Sequence, residues 1–550
     1  MSHRSETIAD LLLDRLGDHR PGLRSRERTW TWDEVVRDSA ARAARLRRLR
    51  DEKRPFHVGV LLDNVPEFVL WLGAAALTGA TVVGINPTRR GTHLEAEVRH
   101  TDLQLLVTDS AGLELLDGLD IGVPRNRFVL VDSPEYAEQL PPADPVRDPS
   151  ISAETRMLLL FTSGTTGASK AAICSQGRLV GLARQNTAKY HIGRDDVCYC
   201  CMPLFHGNAL MALWAPALLA GACVALAPKF SASGFVPDVR HYGATYFTYV
   251  GKAIGYLLGQ PERPDDADNT LTHGFGTEAS PEDRAEFKRR FGAILYEGYG
   301  SSEGAGMINQ APSGPPSALG VPAHAGVRVV DPETREPCPP AELDEHGRVR
   351  NAEEAIGELV NTEGAAKFEG YYKNPAANAE RVRHGWYWTG DLGYLDSAGY
   401  LYFAGRSGDW IRVDGENISA LLTERVLRRH PDILAAGVFA VPDPRSGDQV
   451  MAAVETRARF EDLNLPDFLA AQEDLGPKGI PRYVRVSRQL PTTGSNKLRK
   501  KEMQADGWRT TDEVHWWQGR GAPSYARMTE QDKQDLREQF ATNGRLRFLP

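Results

Sequence analysis

The segment Thr162-Ser-Gly-Thr-Thr-Gly-Ala-Ser-Lys170 follows the apolar run Met157–Phe161 and gathers hydroxyls, small residues and one lysine. Small residues let a backbone fold closely around an anion. The hydroxyls of Thr162, Ser163, Thr165 and Thr166 can donate hydrogen bonds to it, Gly164 and Gly167 give the turn its freedom, and Lys170 adds positive charge. That chemistry suits a triphosphate or a pyrophosphate. The segment is not a Walker A loop, because Gly164 is not followed at the required spacing by Gly-Lys-Ser/Thr. Taken alone, it suits an ordinary solvated turn as well.

Further segments carry compatible groups. In Tyr299-Gly-Ser-Ser-Glu303 an aromatic ring can stack on a base and the carboxylate can hold Mg2+ against phosphate oxygens. Tyr387-Trp-Thr-Gly-Asp391 ends in a carboxylate suited to ribose hydroxyls, and Arg406 can reach the same sugar or a phosphate. Lys497, in Pro491-Thr-Thr-Gly-Ser-Asn-Lys497, can neutralise charge developing at an α-phosphate. Each of these has a surface or turn reading of equal weight. Their common order along one chain has none. His206, in Met202-Pro-Leu-Phe-His206, reads by itself as a loop histidine rather than a base.

The elements that must position these groups are of three kinds. In the first half, helical patterns alternate with the short apolar runs His57–Leu62, Thr81–Ile85, Leu105–Val107 and Phe128–Val131, which predicts parallel strands with crossover helices. After about Gly320 the pattern changes to short strands and turns at Val327–Val330, Gly357–Val360 and Gly399–Phe403. From about Ser407 a third pattern begins, with a helix over Leu421–Arg429 and a strand over Ala436–Val441. A boundary falls near Arg406–Gly408, where Gly408 would relieve strain at a hinge. The tail from Trp508 is polar, carries Trp516-Trp517 and ends in an amphipathic stretch over Thr529–Ala541.

Composition excludes several classes. The 550 residues suggest roughly three to four domain-sized units, and a formal charge of -8 leaves no basic excess for a general nucleic-acid binder. The basic run Arg42–Arg54 reads as a charged helix face, with contact to an anionic lipid or partner as the alternative. Cys198, Cys200 and Cys201 lie close to His206 but match no zinc spacing, so buried thiols in a reducing cytoplasm are expected. The N-terminus lacks the apolar stretch of a secretory signal. Phe68–Pro87 and Asn208–Pro228 are long and uncharged, yet interrupted by Gly73 and Gly79 and by Pro216 and Gly221. Each is read as a buried helix, a glycine and a buried strand rather than a membrane span.

In their joint order these motifs resemble the adenylate-forming superfamily of acyl-CoA synthetases, luciferases and peptide-synthetase adenylation domains, from about Ile8 to Met503. Thr162–Ala172, Tyr246–Leu258, Glu297–Gly304 and Arg406–Ser419 are most similar to the branch of very-long-chain acyl-CoA synthetases, fatty-acid-transport proteins and bile-acid CoA ligases. The resemblance implies an α/β fold: a large N-terminal domain over residues 1–407, with two α/β layers and a small β-rich section, then a small mobile α+β domain over 408–550 with an extension from 508. It also implies a two-step reaction. ATP and a carboxylate give an acyl-adenylate and pyrophosphate, and the thiol of coenzyme A then displaces AMP. The acid would be hydrophobic, either fatty or bulky and polycyclic, and the protein cytoplasmic, with peripheral membrane contact and homodimerisation left open.

By the same resemblance Thr162, Ser163, Gly164, Thr165, Thr166, Gly167 and Lys170 hold phosphates. Ser302 and Glu303 bind phosphate and Mg2+, Tyr299 stacks on adenine, and Gly276, Thr277, Glu278, Glu297 and Gly298 complete the nucleotide site. Asp391 and Arg406 take the ribose. Lys497 serves adenylation only, and rotation about Gly408 then presents the loop containing Gly415 for thiolation. His206 matches an aromatic position beside the acyl carboxylate. Trp214, Tyr246, Tyr249, Val250, Gly251 and Phe275 are candidates for the acyl pocket, although the stretch from Tyr246, read as an aromatic-rich helix, equally suits plain core. The sequence departs from the family pattern at Ser169, Ala171, Ser302, Gly408 and Asn496. Two other readings stand beside this one: an acyl-AMP ligase that loads a carrier-protein thiol, and a lipid-uptake protein that works by trapping.

Overall fold

The computed structural model describes residues 5–162, 170–250, 253–277, 279–300, 303, 308–309, 314–345, 349–406, 410–413, 416–445, 447–472, 475–493, 497–517 and 525–549. The chain divides into two compact units. One comprises Met1–Glu278, Arg284–Ala305 and Ala366–Glu380, and the other comprises Ala279–Asp283, Gly306–Ala365 and Arg381–Pro550.

The first unit holds two sheets. In the six-stranded sheet the order is Phe128–Leu130, Leu105–Thr108, His57–Leu61, Thr81–Gly84, Arg156–Thr162, Lys170–Ser175. Every pairing is parallel except the last. The seven-stranded sheet runs Ile294–Glu297, His273–Thr277, Tyr246–Val250, Val197–Cys200, Cys223–Leu226, Pro21–Arg24, Thr29–Thr31, again parallel up to an antiparallel final pair. Strands covered on both faces need continuous apolar runs, and His57–Leu61 and Tyr246–Val250 are buried throughout. The segment from Tyr246 is therefore a strand, and the helix expected there is confined to Ala253–Leu258. The β-branched and aromatic residues Tyr-Phe-Thr-Tyr-Val favour the pleated surface over a helix.

The two long uncharged segments are the helix–glycine–strand units expected. Pro66–Thr78 ends at Gly79 with φ +72°, before the strand Thr81–Gly84. Residues Gly207–Ala220 form a helical run that ends at Gly221 with φ +73°, before Cys223–Leu226. Gly73 and Pro216 do not break these helices. A Cβ on Gly73 would lie 2.3 Å from Ser39 Oγ, so the glycine serves close packing against the helix Trp32–Leu49. The overpacking it avoids costs about 1–3 kcal/mol, more than the ~1 kcal/mol a helical glycine costs. Pro216 follows a π-helical turn over Leu210–Trp214 and stands at the start of the next α-helical segment, where its missing N–H breaks no ladder. The basic run is also less solvated than its composition suggests. Arg42 is buried, with Nε 2.8 Å from Glu67 Oε2, and Arg47 donates to the Val146 carbonyl at 2.6 Å.

The second unit begins with an antiparallel sheet of Val327–Val330, Gly357–Asn361, Trp386–Leu395, Val382–Arg383 and Leu401–Arg406. The hairpin Trp410–Val413/Glu416–Ser419 follows. A five-stranded sheet of Ile433–Pro442, Asp448–Thr456, Tyr483–Ser487, Glu513–Trp517 and Tyr525–Arg527 completes it. The polar tail thus supplies two strands and the helix Glu530–Thr542, which Thr529 and Asp532 cap reciprocally. Trp508, Val514, Met528, Leu536 and Phe540 pack with Phe439, Met451 and Tyr483 in one apolar cluster.

Candidate active site

The strand Arg156–Thr162 leaves the six-stranded sheet at Thr162, and the chain returns at Lys170, directly opposite Thr162 in the antiparallel register. The residues between them, including Ser163, Gly164, Thr165, Thr166 and Gly167, lie outside the described residues, as do Gly251, Glu278, Ser302, Gly408 and Gly415. The flanks are firmly built. Tyr372 N donates to the Ala171 carbonyl at 2.8 Å and Ile173 N to the Gly370 carbonyl at 3.0 Å, so Gly370–Tyr372 extends the sheet beyond Lys170–Ser175. Glu369 Oε2 accepts from Ser175 N at 2.7 Å and fixes the same edge.

That edge delivers two groups which the sequence did not announce. Tyr371 is buried, and its hydroxyl donates to Glu303 Oε1 at 2.7 Å. Thr162 Oγ1 donates to the same oxygen at 3.4 Å. Glu303 is 6 % exposed, so its charge rests on hydroxyl dipoles rather than on bulk water. Lys170, also buried, places Nζ 3.0 Å from Glu380 Oε2 and 5.5 Å from the centre of the Tyr371 ring. Thr162, Lys170, Glu303, Tyr371 and Glu380 thus form one cluster. An all-oxygen donor set of carboxylate and hydroxyl at Glu303 fits Mg2+, which takes hard oxygen ligands. The run Phe368-Glu-Gly-Tyr-Tyr-Lys-Asn-Pro375 was the available signal for the extra residues, but nothing in its spacing ties it to Glu303.

The second group sits at the carboxyl ends of the parallel strands of the seven-stranded sheet, where α/β folds place ligands. Gly276, Thr277, Glu297 and Gly298 lie side by side there, with Gly298 N donating to the Gly276 carbonyl at 2.9 Å. A Cβ on Gly276 would meet the Tyr249 carbonyl oxygen at 2.3 Å, so only glycine admits this approach. Glu297 Oε1 accepts from the Tyr249 hydroxyl at 2.6 Å. Burial and this carboxylate hold the Tyr249 phenol well above its ordinary range, which keeps it a hydrogen-bond donor. Tyr299 follows, half-buried.

His206 caps the helix that opens at Gly207 through Nδ1, 3.4 Å from Asn208 N. Its loop is pinned by Asn64, which donates to the Met202 carbonyl at 2.8 Å and accepts from Leu204 N at 2.8 Å. The π-helical turn after it leaves backbone carbonyls displaced from the regular ladder. Tyr246 Oη donates to that of Ala212 at 2.9 Å, and Asn186 Nδ2 to that of Met211 at 2.9 Å. Trp214, Tyr246 and Val250 are all buried. Phe275 stands 4.6 Å from the ring of Tyr190. Cys198 and Cys200 lie in the buried strand Val197–Cys200, with the Cys200 thiol pushed up to about 12 by burial.

Asp391 belongs to the second unit. It pairs in register with Arg406 across neighbouring strands, and its N–H donates to Thr389 Oγ1 at 3.0 Å. Gly390, with φ +71°, lies within the same strand where its register with Gly357–Asn361 shifts, and its N–H donates to Glu358 Oε1 at 2.8 Å. Lys497 lies in the same unit: its carbonyl accepts from Thr493 N at 2.7 Å and its N–H donates to Thr493 Oγ1 at 3.1 Å.

The fold is that of solved acyl-activating enzymes. The anthranilate CoA ligase AuaEII in complex with anthranoyl-AMP aligns with TM-score 0.80 at 20 % identity, over 92 % of this chain and 99 % of that one. O-succinylbenzoate coenzyme A synthetase from Bacillus subtilis, in complex with ATP and magnesium ion, aligns with TM-score 0.71 at 24 % identity, over 90 % and 98 %. The chain belongs to the AMP-binding enzyme family: the family pattern matches residues 15–372, and that of the AMP-binding enzyme C-terminal domain matches residues 422–497. Among its relatives, the steroid-22-oyl-CoA synthetase of Rhodococcus jostii (strain RHA1) is 64 % identical over 548 residues, 99 % of both chains. The medium/long-chain-fatty-acid–CoA ligase FadD17 of Mycobacterium marinum (strain ATCC BAA-535 / M) is 44 % identical over 510 residues, 91 % of this chain and 96 % of that one.

Replacing Glu303 by Gln keeps the shape and removes the charge. ATP-dependent turnover is expected to fall roughly 100-fold or more, as when one preorganised electrostatic contact is lost. Rates measured across a Mg2+ series check this, and near-normal turnover would remove Glu303 from the metal role.

Proposed function

We propose that this protein is an ATP-dependent acyl-CoA synthetase whose acid is a carboxylate on the side chain of a steroid. The observation that carries the substrate is the 64 % identity, over practically the whole length of both chains, to a steroid-22-oyl-CoA synthetase, against 44 % to a fatty-acid ligase. The reaction is acid–thiol ligation. A carboxylate oxygen attacks the α-phosphorus of ATP, the bond to pyrophosphate breaks, and the thiolate of coenzyme A then attacks the acyl carbon as AMP leaves.

The chain's own residues divide this work. Thr162 and the loop after it cradle the β- and γ-phosphates, with Lys170 free to exchange Glu380 for a phosphate oxygen. Glu303 holds Mg2+, which supplies positive charge against the phosphate oxygens when bound. Tyr299 and the glycine-lined edge at Gly276 and Gly298 receive adenine, and Asp391 with Arg406 receives the ribose. Trp214, Tyr246, Val250 and Phe275 line the way to the acid. Lys497 offsets the charge that develops at the α-phosphate, and a rotation about Gly408 withdraws it before thiolation. We place the enzyme in the cytoplasm, where ATP and coenzyme A are available. Among the described residues, no helix is long and apolar enough to cross a membrane.

Two measurements check this reading. With coenzyme A, kcat/KM for a steroid 22-oic acid is expected to exceed that for a long-chain fatty acid by about 10-fold or more, a difference of ~1.4 kcal/mol in transition-state binding. A fatty acid that is turned over better would overturn the substrate, and activity with a carrier-protein thiol alone would overturn the acceptor. Lys497→Ala is expected to abolish adenylate formation yet keep thioester formation from supplied acyl-AMP. Equal loss of both half-reactions would contradict its assignment.

A further inference from the structure

Far from the motifs above, the strand Glu513–Trp517 carries Glu513 and His515 two residues apart, hence on one face of the sheet. Beside them runs the turn Phe460–Leu463, whose second residue is Glu461. One ligand atom from each of Glu461, Glu513 and His515 lies within 4.8 Å of the other two. The His515 side chain is 3 % exposed, and its Nε2 stands 3.1 Å from Glu513 Oε1. That nitrogen nevertheless makes no hydrogen bond of acceptable geometry. The buried ring nitrogen thus faces Glu513 at ion-pair distance and Glu461 close by, with an alignment too poor to satisfy it fully. It is the arrangement expected of ligands that share an ion: with bonds of about 2.0–2.2 Å and tetrahedral angles, ligand atoms lie roughly 3.3 Å apart.

The surroundings hold the imidazole in place. Phe460 stacks on its ring at 3.8 Å and 23°, so the residue next to Glu461 fixes the plane of the histidine. Two arginines face the carboxylates. Arg527 Nε is 3.5 Å from Glu513 Oε1 and Arg459 Nε is 3.6 Å from Glu461 Oε2, with side chains 72 % and 83 % exposed. Exposed pairs of this kind contribute about 0–1 kcal/mol, so both can swing aside. Glu513 and His515 lie beyond residue 497, where the match to the family's C-terminal domain ends.

We propose that Glu461, Glu513 and His515 bind a divalent transition cation of the zinc class, with water completing the shell, and so fasten the turn at Phe460 to the strand at His515. One imidazole with two carboxylates selects such borderline ions over Mg2+ and Ca2+, which prefer oxygen alone. The role is structural: the ion ties the C-terminal strand to the family domain.

The test uses the full-length protein, freed of metal by a chelator and titrated with Co2+ as an absorbing stand-in for Zn2+. One Co2+ per chain is expected to bind with visible d–d absorption and to raise the melting temperature, as any ligand selective for the native state must. Glu461→Gln, on an exposed turn, is expected to weaken that binding by roughly 10–100-fold. Arg527→Gln is expected to tighten it, and His515→Gln to abolish the absorption. Retention of wild-type Co2+ affinity and absorption by Glu461→Gln would overturn the site, as would failure of the wild type to bind. Should His515→Gln fail to fold, the Glu461 and Arg527 variants decide.

Discussion

Glu303 brings a carboxylate into a protein interior, and burying a charge costs several kcal/mol unless partners make up for lost water. The neighbouring hydroxyls of Tyr371 and Thr162 point at one of its oxygens, at 2.7 Å and 3.4 Å. Tyr371 can do this because Gly370–Tyr372 is paired along the free edge of the strand Lys170–Ser175. The same pairing brings Glu380 to Lys170, so two buried charges of opposite sign are held by one short segment. Without that edge the carboxylate would lose a donor and the lysine its counter-charge. The cluster of Thr162, Lys170, Tyr371 and Glu380 is what satisfies these two groups.

The parallel sheets then determine where everything else can stand. Loops leave parallel strands at their carboxyl ends: Thr162 and Thr277 are the last residues of such strands, and Gly298 and His206 follow others. Close approach at those ends is bought by glycine at Gly276, and the loop before His206 is held by Asn64 rather than by regular ladders. The π-helical turn over Leu210–Trp214 offers carbonyls to Tyr246 and Asn186, which ties the strand Tyr246–Val250 to the helical run that carries Trp214.

Much of this was legible in the residues. Apolar runs with period-free burial gave the parallel strands, and Leu-Thr-Gly-Ala and Leu-Ala-Gly-Ala marked the helix ends at Gly79 and Gly221, because a left-handed cap needs glycine. Gly73 and Pro216 misled, since a glycine can serve packing and a proline can follow a π turn without ending a helix. The segment from Tyr246 misled because a short apolar run has no period that separates strand from helix. At the site, Thr162, Lys170 and Glu303 were visible from residue type. Tyr371 and Glu380 were not, because their partnerships with Glu303, 68 residues away, and Lys170, 210 residues away, exist only once the sheet edge forms. In the tail, the amphipathic stretch Thr529–Ala541 was the sign of a face that packs, and its Leu536 and Phe540 enter a core with Trp508.

The dependence of Glu303 on Tyr371 is open to one direct measurement: the Mg2+ concentration that half-saturates ATP turnover in Tyr371→Phe. A hydrogen bond to a charged group contributes about 1.5–3 kcal/mol, which corresponds to roughly 10–150-fold in an equilibrium or rate. The expected result is a rise of that size in the Mg2+ requirement, with the variant folded as the wild type. An unchanged Mg2+ requirement would show that the carboxylate holds its position without the tyrosine, and would contradict the central place given to this contact.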